Sequence, residues 1–206
     1  MGSHYYYLVS QLPYLVFGQI PPMSSEAFKE LARNLLTKED AKLLDLLSLD
    51  PQPPIPDAEG PSYAEKVKTS KSAFIDGWRE WERVLRLNLA KQRALKLKWD
   101  TADMVEAPAS PADAVTTAVK AVAVTDSPIE GENVLDRGRW NAIEELHAGD
   151  FFDRNTIFVY LLKLYILERN ASFQTEIGFT EYKSLYASIL NNENELEGTT
   201  PAGDNT

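Results

Sequence analysis

Glu144-Glu145-Leu146-His147 contains the pair Glu-x-x-His. Residues three apart share one face of a helix, so Glu144 and His147 could reach a single metal ion, with Asp150 and Asp153 as nearby acids. A dimetal helical site needs two such pairs and two more inward carboxylates. Only one pair occurs in this sequence. The simpler reading is a histidine near a helix C-terminus, where the helix dipole favours positive charge. Other chemistry is scarcer still. The chain contains neither GxxxxGK[ST] nor GxGxxG, and it has no cysteine. Thiol catalysis and cysteine-based metal centres are therefore excluded. His147 is the one serious histidine for a nucleophilic triad. The sequence points to a non-catalytic protein, with no cofactor and no metal expected.

Charge is more informative. The 206 residues hold 21 Lys+Arg against 31 Asp+Glu, a formal net charge of -10. Such a chain is a poor general nucleic-acid binder, because phosphate contacts need cationic surface. Yet Arg79, Arg83, Arg86, Lys91, Arg93, Lys96 and Lys98 form a basic run opposed only by Glu80 and Glu82. A second cluster is Leu135-Asp136-Arg137-Gly138-Arg139-Trp140, in which Asp136 and Arg139 are placed to pair along a helix surface. Arg86, Lys91, Arg93, Lys96, Lys98, Arg137 and Arg139 are thus the candidate partner-binding residues. The competing reading is a solvated ion-pair face, or basic residues that neutralise acidic helices of the same molecule. No aromatic platform accompanies the run, so RNA is not the expected partner.

Helices must carry these groups. Ser24-Ser25-Glu26 offers an N-cap ahead of Phe28, Leu31, Ala32, Leu35 and Leu36 at helical spacing. Thr37-Lys38-Glu39-Asp40 opens another, with Asp40 in the capping-box position. Pro51 to Pro61 reads as a stiff linker. From Ser62 to Trp99 there is no proline and only one glycine. Val67, Phe74 and Trp81 lie seven apart, as do Trp78 and Leu85. Extended, the first series reaches Asn88 and Leu95, the second Gln92 and Trp99. This predicts a long helix with a packing seam and its tryptophans in the core. Residues Thr101 to Thr125 are rich in Ala, Val, Thr and Pro, and leave open whether Ala112 to Val124 is helical or mobile. Ser127-Pro128-Ile129-Glu130 is a helix start, and Gly149 its stop. Asp153 or Asn155 caps a helix to about Asn170 that is apolar nearly all round, hence central. A last amphipathic stretch runs through Tyr182, Leu185, Tyr186 and Ile189. Trp78, Trp81 and Trp140 are expected to be buried together with Phe74, Leu85 and Tyr160.

The opening Tyr5-Tyr6-Tyr7-Leu8-Val9 is not expected to be an export signal: no Lys or Arg precedes it, and Gln11 and Pro13 interrupt it. It reads as a short segment packed on helices, with at most one short strand pair. No apolar run reaches the ~18–20 residues of a spanning helix.

Three stretches together resemble a known group. They are Tyr5 to Pro13; Trp78-Arg79-Glu80-Trp81-Glu82-Arg83 with Leu85-Arg86 and Leu89-Ala90; and Leu135 to Trp140 through Glu144-Glu145-Leu146, Phe151-Phe152-Asp153 and Lys163-Leu164 to Leu167-Glu168-Arg169. The chain resembles an uncharacterised bacterial family encoded among V/A-type ATPase genes. That family is similar to the C (also called d) subunit of rotary ATPases, a helical socket between central shaft and membrane ring. The resemblance implies an all-α fold, a multi-helix bundle with one long central helix, related to the fold of that C/d subunit but shorter. One helical domain is expected over residues 1–192, and composition makes the segment near 101–127 flexible and the polar tail over 193–206 disordered. The resemblance implies a connector serving ion transport, cytoplasmic and held at the inner membrane by the V/A-type ATPase shaft and ring subunits, not by insertion. A transient assembly factor for that ATPase, or a metal-binding helical protein using Glu144 and His147, are the alternatives. The tyrosine run becomes the buried N-terminal edge of the adaptor, its rings in the core and its hydroxyls at polar rims.

Overall fold

A computed structural model describes residues 5–49, 70–99, 113–125, 127–147, 149 and 151–174. Among these, all regular structure is helical: α1 (Tyr6–Gln11), α2 (Ser25–Leu35), α3 (Lys38–Leu44), α4 (Ala73–Lys96), α5 (Asp113–Ala123), α6 (Pro128–Leu146) and α7 (Arg154–Gln174). The starts follow side-chain caps. Ser24 Oγ accepts from the Ala27 N–H, Thr37 Oγ1 from Asp40, Ser72 Oγ from Ile75, Ser127 Oγ from Glu130, and Asp153 Oδ1 from Thr156. Each supplies an acceptor that the first helical turn otherwise lacks, an effect of about 1 kcal/mol. Asp40 does not complete a capping box. Its carboxylate instead accepts from the Tyr5 hydroxyl and from Arg154.

Helix α7 is the packing centre. Ile157 to Leu162, Leu164, Ile166 and Leu167 are all buried. Several are β-branched or aromatic, which costs a few tenths of a kcal/mol each in helix propensity. Burial of each such side chain is worth about 1.5–3 kcal/mol, so packing decides the conformation. α7 lies against α2 and α6, while α4, α5 and α6 pack on one another and α3 sits against α2. The close approaches use glycine. A Cβ on Gly77 of α4 would stand 3.0 Å from Leu146 of α6, and one on Gly138 of α6 would stand 3.2 Å from the Ala118 Cβ of α5. α4 also pins the chain leaving α3. Trp78 Nε1 donates to the Ser48 carbonyl, Arg79 to Leu46 and Arg86 to Leu49.

Trp78, Trp81 and Trp140 are buried in one cluster with Phe74, Leu85 and Tyr160. The Trp78 and Trp81 rings stack at 5.8 Å between centroids. The sequence expectations need correction elsewhere. The long helix and the central helix are different elements: α4 is longest, and α7 is the one surrounded. Trp99, expected on the buried seam, is 67% exposed, because α4 ends at Lys96 and the left-handed Lys98 takes the chain off the helix before Trp99. The tyrosine run, read as a short segment packed on helices, opens helix α1, but it divides. Tyr5 is buried, with its N–H on the Phe152 carbonyl, while Tyr6 and Tyr7 are exposed. Residues 113–123, open in sequence between helix and mobile chain, form α5 and bury Val115, Ala118 and Val119. The expected linker at 51–61, the start of the long helix at Ser62, the segment 101–112, the stretch around Tyr182 to Ile189 and the tail at 193–206 lie outside the described residues.

Candidate docking site at the end of helix α4

The candidate partner-binding residues separate into two groups. Arg139, buried, and Arg86, half-buried at the edge, are both used in the bundle's own ion pairs. Glu82 of α4 accepts from Arg86 Nε at 3.1 Å and from Arg139 Nε at 2.6 Å. Arg139 NH1 donates to Asp136 Oδ1 at 2.9 Å, and Asp136 also receives the Arg169 guanidinium, which reaches on to Glu132. Arg86, Glu82, Arg139, Asp136, Arg169 and Glu132 therefore alternate in sign across α4, α6 and α7. Asp136 is fully buried, and Arg139 is 4% exposed. Spacing predicts the pairing of Asp136 with Arg139, but on the surface; the structure places it in the interior. Arg139 offers no surface to a partner. Burial pushes Asp136 above the ordinary carboxylate range, against the pull of Arg169 and Arg139. Burial also works against the Arg139 charge, but Glu82 and Asp136 outweigh it and hold that guanidinium up.

Arg137, between Asp136 and Gly138, points outward. Its guanidinium carbon lies 3.8 Å from the centre of the Phe17 ring. Phe17 in turn meets Trp140 edge-on. Arg137 thus covers a ring as well as carrying charge.

Lys91, Arg93, Lys96 and Lys98 form the second group, and all four are exposed. From Ala90 to Trp99 every residue is exposed except Ala94. Lys96 Nζ donates to the Ala123 carbonyl at 3.3 Å; none of the four pairs with a carboxylate among the described residues. Upstream the same basic run is neutralised, Arg83 by Glu80 and Arg86 by Glu82. With the cations stand Leu95, Leu97 and Trp99, exposed by 53%, 57% and 67%. The helix closes in a paired turn: the Lys98 N–H bonds the Leu95 carbonyl, and the Trp99 N–H bonds Ala94. This is the pattern of a helix C-cap whose first residue beyond the cap is left-handed, usually glycine. Here that residue is Lys98, at φ 55°. The cations are legible in the sequence, but spacing predicts Leu95 and Trp99 on the buried seam and says nothing of Leu97. The available signal was the density of charge after Ala90, which a buried seam does not carry.

Glu144 and His147 do not converge. Glu144 Oε1 accepts from Trp140 Nε1 at 3.0 Å and from Lys163 Nζ at 2.7 Å. The Lys163 hydrogen bond draws the Glu144 carboxyl below its ordinary range. His147 follows the last turn of α6 and bonds through Nε2 to Thr156 Oγ1, and Asp153 is occupied capping α7. Asp150 lies outside the described residues. No group of His, Asp and Glu among the described residues is arranged to hold a metal ion. No helix among them is long and apolar enough to cross a membrane.

No family model matches the chain, and neither a curated protein nor a solved structure matches it.

Proposed function

We propose that this protein is a non-catalytic connector of a bacterial V/A-type rotary ATPase, similar to the C/d subunit, working between the central shaft and the membrane ring. One observation supports the reading above others. The stretches that carry the resemblance supply the groups that hold this bundle together. Tyr5 ties the N-terminus to Asp40 and Phe152. Trp78, Trp81 and Glu82 come from the second stretch. Asp136, Arg139, Trp140, Lys163 and Arg169 come from the third, and Glu168 accepts from the N–H of Ser25 at 2.6 Å. A likeness concentrated in such groups supports a shared fold, and a helical bundle with an exposed basic helix end suits a connector. The cytoplasmic, ring-facing placement belongs to the same proposal.

The test is genetic and biochemical. The ATPase is purified from native cells with and without this gene. The connector reading expects the chain in the intact complex and a loss of shaft-to-ring coupling in its absence. An enzyme complete and fully coupled without it would remove the proposal.

A further inference from the structure

We propose that the last turns of α4 are a docking site for an acidic amphipathic helix of a partner protein. The inference names the partner chemistry that the connector reading leaves open, and rests on that reading only for which protein supplies the helix. Leu95 continues the Trp81–Asn88 series, and Trp99 the Trp78–Leu85–Gln92 series. Upstream, those two series pack against the bundle: Trp78, Trp81 and Leu85 are buried. Downstream, Leu95 carries that face into solvent, and Trp99, just past the helix end, is exposed as well. A seam with seven-residue spacing is shaped for another helix. Trp and Arg are also the residue types that most often carry the binding energy of an interface.

The cap at Lys98 points the same way. A left-handed lysine costs about 1–2 kcal/mol that glycine would avoid. Lysine there keeps a cation beside Trp99 while the turn fixes where Trp99 leaves the helix. Charge selects the occupant. Lys91, Arg93, Lys96 and Lys98 are positive on a chain of net charge -10. An acidic helix is therefore attracted here and repelled elsewhere. A symmetric second copy would set these cations against themselves. A membrane-surface helix separates its apolar and charged faces. Here Lys96 stands between Leu95 and Leu97, and Lys98 between Leu97 and Trp99.

The test uses the full chain and a fluorescent synthetic helix of three heptads, leucine at a and d and glutamate at e and g. Its lysine-bearing counterpart is the control. Fluorescence anisotropy should show binding of the acidic helix alone, weakening steeply with salt. The double variant Leu95→Ser, Trp99→Ser and the double variant Lys91→Glu, Arg93→Glu should each bind at least about tenfold more weakly. All four positions are exposed, so both variants should melt like the parent. The proposal is overturned by no binding to the parent, or by equal binding to both variants. It is overturned equally if the same variants abolish a dimer in sedimentation, or abolish binding to phosphatidylglycerol vesicles. A photoreactive amino acid in place of Leu95 that crosslinks to the chain's own residues beyond 174 would also overturn it. None of these outcomes depends on the ATPase, so failure here and failure of the connector reading are separable.

Discussion

Tyr160 shows how a single buried hydroxyl can be read out. Its O–H donates to the Pro13 carbonyl at 3.0 Å, and the residue is 9% exposed. Burial pushes the phenol up from 10.0 to about 12. The folded state therefore prefers the neutral ring. The contribution is fully present below pH 10 and is lost as pH rises from 10 to about 12, in all on the order of 2–3 kcal/mol. Tyr160→Phe should cost about 1 kcal/mol at neutral pH through the lost hydrogen bond. It should also flatten the fall of melting temperature above pH 10, measured by circular dichroism. Asp136 sits at the other extreme of charge. Asp136→Asn leaves Arg139 and Arg169 facing each other without their shared carboxylate, and should cost roughly 3–5 kcal/mol in urea unfolding. Replacing Arg137, in the same short motif, should cost far less, because it stands at the surface over Phe17.

Helices α4 and α6 carry their own tests. Trp81 is stacked on Trp78 within the main cluster, so Trp81→Ala should cost roughly 3–5 kcal/mol. Gly138 lets α5 approach α6. Gly138→Val forces added methyl groups toward Ala118 and should destabilise by about 1–3 kcal/mol, despite valine's better helix propensity than glycine. The cap of α4 should respond in the opposite sense. Lys98→Gly relieves the left-handed conformation and should raise stability by up to about 1 kcal/mol while removing one docking cation. Urea denaturation of these three variants distinguishes a packed interior from a projecting end within one helix system.

For the molecule as a whole, the separation of folding from docking is the central expectation. Arg93→Glu with Lys96→Glu changes only exposed positions, with Lys96 giving up one bond to the Ala123 carbonyl. Stability should change by less than about 1 kcal/mol, as surface positions do. Association with an acidic partner should weaken, and its salt dependence should become shallower. Unchanged co-purification with the ATPase would show that the partner does not use this end of α4.

Periodicity and caps were readable from the chain because they are local. Ser24, Thr37, Ser127 and Asp153 mark helix starts through groups only a few residues away. The apolar circumference of α7 implies burial whatever surrounds it. Spacing also turns Trp78, Trp81 and Leu85 to one side of α4. What spacing does not contain is where the helix stops. Trp78 and Trp99 share one seven-residue spacing, yet one is buried and the other is exposed, because α4 ends at Lys96 and the left-handed Lys98 carries Trp99 off the helix. Arg137 and Arg139 differ by two positions and have opposite fates, because Glu82 waits 57 residues away in sequence on the facing side of α4. Tyr5 is buried and Tyr6 and Tyr7 are not, because only Tyr5 reaches Asp40 with its hydroxyl and the Phe152 carbonyl with its N–H. Residue type and period determined which faces are apolar or charged; contacts between distant segments decided which of them reach solvent.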